Sequence, residues 1–98
     1  MSYPVLNQNW PNSIIVNQNY NLTVDFQVYL CDASNGSFTL TLPAIQWDGI
    51  QCSFTRIDSN GSNSVTIQDS NNNTLYTMTP GQVLNLMTYS NNWYNMSM

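Results

Sequence analysis

The sequence predicts an all-β fold: a single small antiparallel β-sandwich, jelly-roll-like, of about nine short strands. Three observations carry this reading. Apolar and polar residues alternate with a period of two along most of the chain, while no helical periodicity is sustained. Clusters of Asn, Asp, Gly, Ser and Pro interrupt the alternation at short, regular intervals. The length, 98 residues, is that of one domain with one core.

Taken in order, residues 1–12 read as a polar N-terminal extension or linker and residues 13–98 as the sandwich domain. A first strand is expected over Ser13–Val16. The clearest alternation runs over residues 20–30, where Tyr20, Leu22, Val24, Phe26, Val28 and Leu30 share one parity and polar residues fill most of the other. Such a strand shows one face to the core and one to water, and a bend near Asp25 would divide it in two. Residues 37–42 form the next run, which Pro43 ends because proline cannot donate to a ladder. Asn35-Gly36 between these runs predicts a hairpin, and Asn60-Gly61 separates the strands at 52–57 and 64–68. Strands at Thr74–Met78, Val83–Tyr89 and residues 93–98 follow, the first two separated by the turn Thr79-Pro80-Gly81.

The last two strands differ from the rest, because both parities carry apolar groups. Their outer faces are therefore expected to meet other subunits, with Val83, Met87, Tyr89, Tyr94, Met96 and Met98 as interface residues. Four of the five methionines fall from Met78 onward, and methionine adapts well to irregular contacts. A homotrimer is the expected assembly.

Charged residues make up only 6% of the chain, against an ordinary share of about 25%. One Arg and five Asp comprise the whole inventory, and Lys, Glu and His are absent. A net charge of −4 leaves no basic patch to track phosphates, so nucleic acid is not an expected partner. No apolar run is long enough for a membrane-spanning helix, and residues 1–9 lack the basic and apolar regions of a signal peptide. Without His, Lys or Glu there is no ordinary general base and nothing to activate a Ser or Cys nucleophile. Each Asp sits at a turn or strand edge, where Asx-turn hydrogen bonding accounts for it. The chain is thus expected not to be an enzyme.

Two Cys without His cannot form a zinc site, and no Asp-x-Asp-x-Asp-Gly calcium loop occurs, so no metal or cofactor is expected. Cys31 and Cys52 read as in phase with apolar neighbours, Val28 and Leu30 for one and Ile50 and Phe54 for the other, and are expected as free, buried thiols. Trp47-Asp48-Gly49 falls in a connection between strands. A loop Trp beside an Asp, with Asn, Gln and Ser around it, has the composition of a sugar site, in which an apolar ring stacks on the pyranose and amides take its hydroxyls. Trp47, Asp48 and Trp10 are the candidate ligand-binding residues. The other reading of each ring is that it caps an end of the sandwich or packs on a partner subunit.

From residue 38 onward the order of elements resembles the β-rich distal domains of bacteriophage and other viral fibre and tail proteins. The matching elements are Thr39-Leu40-Thr41-Leu42-Pro43, a Gly-led strand over 49–58 ending in Arg56-Ile57-Asp58, Ser64-Val65-Thr66-Ile67, a Pro80-Gly81-Gln82 turn before an apolar strand, and Asn91-Asn92-Trp93-Tyr94. The resemblance implies a homotrimeric structural module on the virion surface, assembled in the host cytoplasm. Its role would be a fibre head for host attachment or a capsid decoration, with other virion proteins and a host surface glycan or receptor as partners. A carbohydrate-binding module using the loop tryptophans stays open as the alternative.

Overall fold

The computed structural model describes residues 13–23 and 28–96. Nine strands and no helix occur among them: β1 (Ser13–Val16), β2 (Tyr20–Asn21), β3 (Val28–Cys31), β4 (Phe38–Thr41), β5 (Gln51–Arg56), β6 (Val65–Gln68), β7 (Thr74–Met78), β8 (Val83–Tyr89) and β9 (Asn92–Asn95). They form a five-stranded sheet, β1-β3-β5-β8-β9, and a four-stranded sheet, β2-β4-β6-β7. The expected extension at 1–12 lies outside the described residues.

The sheets are mixed, which corrects the antiparallel, jelly-roll-like expectation. From β1 to β6 the chain alternates between sheets, so β1, β3 and β5 pair in parallel, as do β2, β4 and β6. A parallel pair needs a long crossover, and here each crossover includes a strand of the opposite sheet in place of the usual helix. Only β7, β8 and β9 pair antiparallel, with β6, β5 and β8 respectively.

The expected hairpin at Asn35-Gly36 fails for a local reason. A two-residue type I′ turn needs positive φ at both central residues. Neither Asn35-Gly36 nor Asn60-Gly61 adopts it. Instead Gly36 N–H donates to the Ala33 carbonyl and Ser34 N–H to the Asp32 carboxylate, which turns the chain towards the other sheet. The tight hairpin of this fold is β8–β9, where Ser90 and Asn91 carry φ of 50° and 63° without any glycine.

The alternation over 20–30 likewise hides a change of sheet. Leu22 is buried, but Tyr29 and Cys31 are the core residues of β3, and Val28 and Leu30 face outward, half-buried. The phase reverses between β2 and β3, so Cys31 is buried although out of phase with Val28 and Leu30. Inner faces then interlock in one core. Tyr29, Phe54, Leu84 and Leu86 come from the five-stranded sheet, and Leu40, Val65, Ile67 and Met78 from the other. Tyr29 and Phe54, opposite each other in the β3–β5 register, stack at 5.4 Å between ring centroids.

Within this core lies the chain's single cation. The Arg56 side chain is fully buried and binds Asp58 through both carboxylate oxygens, Nε to Oδ1 at 2.9 Å and Nη2 to Oδ2 at 3.0 Å. Its remaining donors reach the carbonyls of Met78 and Asn60. Asp58 also accepts the backbone N–H groups of Ala33 and Asn60. These bonds, with that from Arg56 foremost, hold the Asp58 carboxyl well below the usual carboxylate range.

Cys31 and Cys52 are both buried and unbridged. Cys31 stands opposite Arg56 in the register, and Cys52 lies four residues before Arg56 on β5, about 13 Å along the strand. A disulfide requires Cα atoms within about 7 Å, so the parallel register itself forbids the bridge. Burial pushes the Cys31 thiol up to about 12 and the Cys52 thiol up to about 11.

Replacing Asp58 by Asn leaves a buried guanidinium without its counter-charge, so Asp58→Asn is expected to lower stability by about 3–5 kcal/mol in denaturant unfolding. Because the folded carboxyl is depressed, its contribution is complete above the unfolded carboxylate pKa of about 4. It is lost as pH falls further. Wild-type stability should therefore drop on acidification below that point, and the Asp58→Asn protein should lack that part of the drop. An equal acid slope in both proteins would rule the linkage out.

The thiols give the opposite sign. Unfolded cysteines ionise near 8.5 while the folded ones stay protonated, so stability is expected to decline as pH rises above that value. With Ellman's reagent at mildly alkaline pH, both thiols should react only at the rate of unfolding. Immediate reaction of either thiol in the native protein would contradict its burial.

Candidate functional site

The outer face of the five-stranded sheet is built by the parity opposite to the core. The register aligns Ile15, Leu30, Thr55 and Val83 in one cross-strand row, and Ser13, Val28, Ser53 and Asn85 in the next. Gln51, Met87 and Tyr94 form a third. No charged residue falls in these rows. Ile15 is 63% exposed, Val83 49% and Tyr89 59%, and Tyr94 and Met96 are exposed as well. A shallow groove of about 430 Å³ runs across the face between Val28, Leu30 and Val83.

Local bonds fix this surface. Ser53 Oγ donates to Asn85 Oδ1 at 2.7 Å, so the polar pair in mid-face satisfies itself without a charge. Gln51 Nε2 lies 3.8 Å from the Met87 sulfur. The rings of Tyr89 and Tyr94 meet at 6.4 Å across the β8–β9 pair. Apolar side chains thus share this face with uncharged polar ones, and it lacks the charges that commonly protect exposed strands from association.

Of the interface residues expected from sequence, Val83, Met87, Tyr89, Tyr94 and Met96 lie on β8, β9 and the residue after it, and the register puts the β8 residues and Tyr94 on the outer face. Met98 lies outside the described residues. The sequence reading missed the half of the face contributed by β1 and β3. Ile14-Ile15-Val16 holds a signal for it, since three successive apolar residues in a strand must send at least one outward. Val28 and Leu30 gave none, because their phase matched Leu22.

The tryptophan candidates separate. Trp47 is 53% exposed in the connection between β4 and β5, and its carbonyl accepts the Thr88 hydroxyl at 2.9 Å. Asp48 Oδ1 accepts the backbone N–H of Ser90 at 3.0 Å, so this carboxylate ties the loop to the β8–β9 turn. Trp10 lies outside the described residues. Trp47 and Asp48 do not line the cleft that opens beside that turn. Its residues are Ile45, Leu75 and Trp93 with Asp69, Ser70, Asn71, Asn91 and Asn92.

No group of three His, Cys, Asp or Glu side chains gathers among the described residues. The Asp69 carboxyl is lowered by the Asn73 and Asn71 groups that donate to it. That pattern makes a turn and brings no second titratable group alongside. No protein-family model matches the chain, and no curated protein sequence matches it.

Proposed function

We propose that this domain is a structural virion subunit or fibre head module that acts by self-assembly and attachment, without chemistry of its own. The observation that carries the reading is the uncharged outer face of the five-stranded sheet, with Ile15, Val83, Tyr89 and Tyr94 exposed on it. Its occupants are two further copies of the same chain, arranged as a homotrimer about the β8–β9 side of the sheet. Three points support identical partners. The face is self-compatible, since it has no charge to be neutralised. The net charge of −4 per chain is small, and repulsion is screened beyond about 8 Å at physiological salt. A domain of 98 residues buries a smaller share of its surface than a larger one, so contact with neighbours would add to its buried apolar area.

The viral placement rests on the resemblance in element order. Four of its elements coincide with strands in the same order along the chain: β4 runs up to Leu42-Pro43, β5 ends at Arg56, β6 contains Val65-Thr66-Ile67, and β9, after β7 and β8, opens on Asn92-Trp93-Tyr94. On this reading the trimer assembles in the host cytoplasm and sits on the virion surface, meeting other virion proteins or a host receptor.

Light scattering at micromolar concentration is expected to give the mass of three chains. Met87→Asp would bury an unpaired charge in each contact at a cost of several kcal/mol, enough to dissociate a small oligomer. The matched control, Thr77→Asp on the exposed edge strand of the other sheet, should remain trimeric. A monomeric wild type, or a Met87→Asp protein that stays trimeric, would reject the interface.

A further inference from the structure

We propose that the cleft between the edge strands β7 and β9 binds a neutral sugar ring. The cleft has a volume of about 250 Å³, below the roughly 300–1,000 Å³ of drug-sized sites and suited to a single small ring. It opens where the β6–β7 turn of one sheet faces the β8–β9 turn of the other, and Ile45 from the β4–β5 connection closes one side.

Its walls divide chemically. Trp93 is half-buried, packs against the core and borders the cleft together with Leu75, which is exposed. Those two side chains offer the apolar surface on which the C–H face of a pyranose rests. Asn71, Asn91 and Ser70 line the cleft as well, and no hydrogen bond engages their side chains among the described residues. Asn92 uses its amide nitrogen on the Ser90 carbonyl and keeps its amide oxygen. Planar amides present a donor and an acceptor side by side, which matches two adjacent sugar hydroxyls.

Charge selects the class of sugar. Asp69 is the only ionisable side chain of the lining, and its lowered pKa follows from the donors of its own turn. A carboxylate with no cation beside it disfavours anionic sugars, and the oxygens of this one already accept the Asn71 and Asn73 groups of its turn. The backbone adds a separate observation. Among the described residues, the three non-glycine residues with positive φ, Asn72, Ser90 and Asn91, all lie in the two turns that form this cleft. Glycine would relieve each of them, yet it would remove Asn91's amide from the cleft.

Saturation-transfer NMR on the intact protein with maltose, lactose and N-acetylneuraminic acid tests the site. Transfer to ring protons of maltose or lactose is expected at millimolar affinity, with none to N-acetylneuraminic acid. Asn91→Gly keeps the turn geometry and removes one amide, so it should fold at least as stably and bind about tenfold more weakly. Asn71→Ala should weaken binding similarly, whereas Trp47→Ala should bind as wild type. Absence of transfer from both neutral sugars, preference for the acidic one, or undiminished binding by both Asn variants would overturn the proposal. Loss of binding on Trp47→Ala with Asn91→Gly unaffected would overturn it too, by moving the site to the loop. None of these readings depends on the oligomeric mass.

Discussion

A single guanidinium fixes one end of this molecule. Arg56 closes β5, and its side chain is bound to Asp58, to Met78 at the end of β7 and to Asn60 in the following loop. Its backbone N–H donates to the Gln82 carbonyl, and its carbonyl accepts from Gly81 in the turn before β8. Asp58 extends the network to Ala33 beyond β3. The β5–β6 and β7–β8 connections, both of which pass from one sheet to the other, thus meet at this one residue, and a buried arginine tolerates this only because its strongest donors meet a carboxylate bidentately. In a chain with no lysine there is no second cation to take its place.

The parallel strands follow from the alternation of the chain between the two sheets. An antiparallel hairpin brings strands back at once, whereas alternation between sheets leaves long connections on the outside. Those connections need hydrogen-bond partners, and here short side chains supply them. Asp32, Asp58, Asn60 and Asp69 each accept backbone N–H groups two residues on. Asn19 Oδ1 does the same over a long range for Thr39, and Asn63 donates to Ala33. Asn19, Asn60 and Asn63 thus serve beside the aspartates as uncharged side chains that hold the loops.

Strand positions were legible in the sequence because side-chain burial has a period of two, and that period survives whichever sheet a strand joins. Pairing was not legible, since parallel and antiparallel partners impose the same alternation on a half-buried strand. The Asn-Gly pairs misled for the same reason: they favour positive φ without requiring it, and both here sit in wider turns. Arg56 illustrates a further limit. Its neighbours Phe54 and Cys52 share its parity, so alternation does place it inside, but a lone Arg at a strand end reads as solvent-exposed until a bidentate acid is seen beside it. The outer apolar face was half legible, through β8 and β9, where both parities are apolar. The β1 and β3 half was concealed by the phase reversal after Leu22. The cleft could not be read at all, because Ile45, Asn71 and Asn91 are brought together by turns from both sheets.

The end opposite Arg56 has the contrary character. There the chain leaves amides unengaged and accepts left-handed backbone at Ser90 and Asn91 in place of glycine. β9 joins this open end to the outer face of the five-stranded sheet, proposed above as the assembly face, since successive side chains of a strand point to opposite sides. Trp93 turns towards the core and the cleft, and Tyr94 turns to the outer face opposite Met87. A copy packed over Tyr94 would therefore rigidify the strand that carries Trp93 without covering the cleft residues that lie on the other sheet. Assembly and ligand contact would then use the two faces of one short strand. The absence of charge from the outer rows of the sheet would suit such an apolar contact, since a buried unpaired charge is costly.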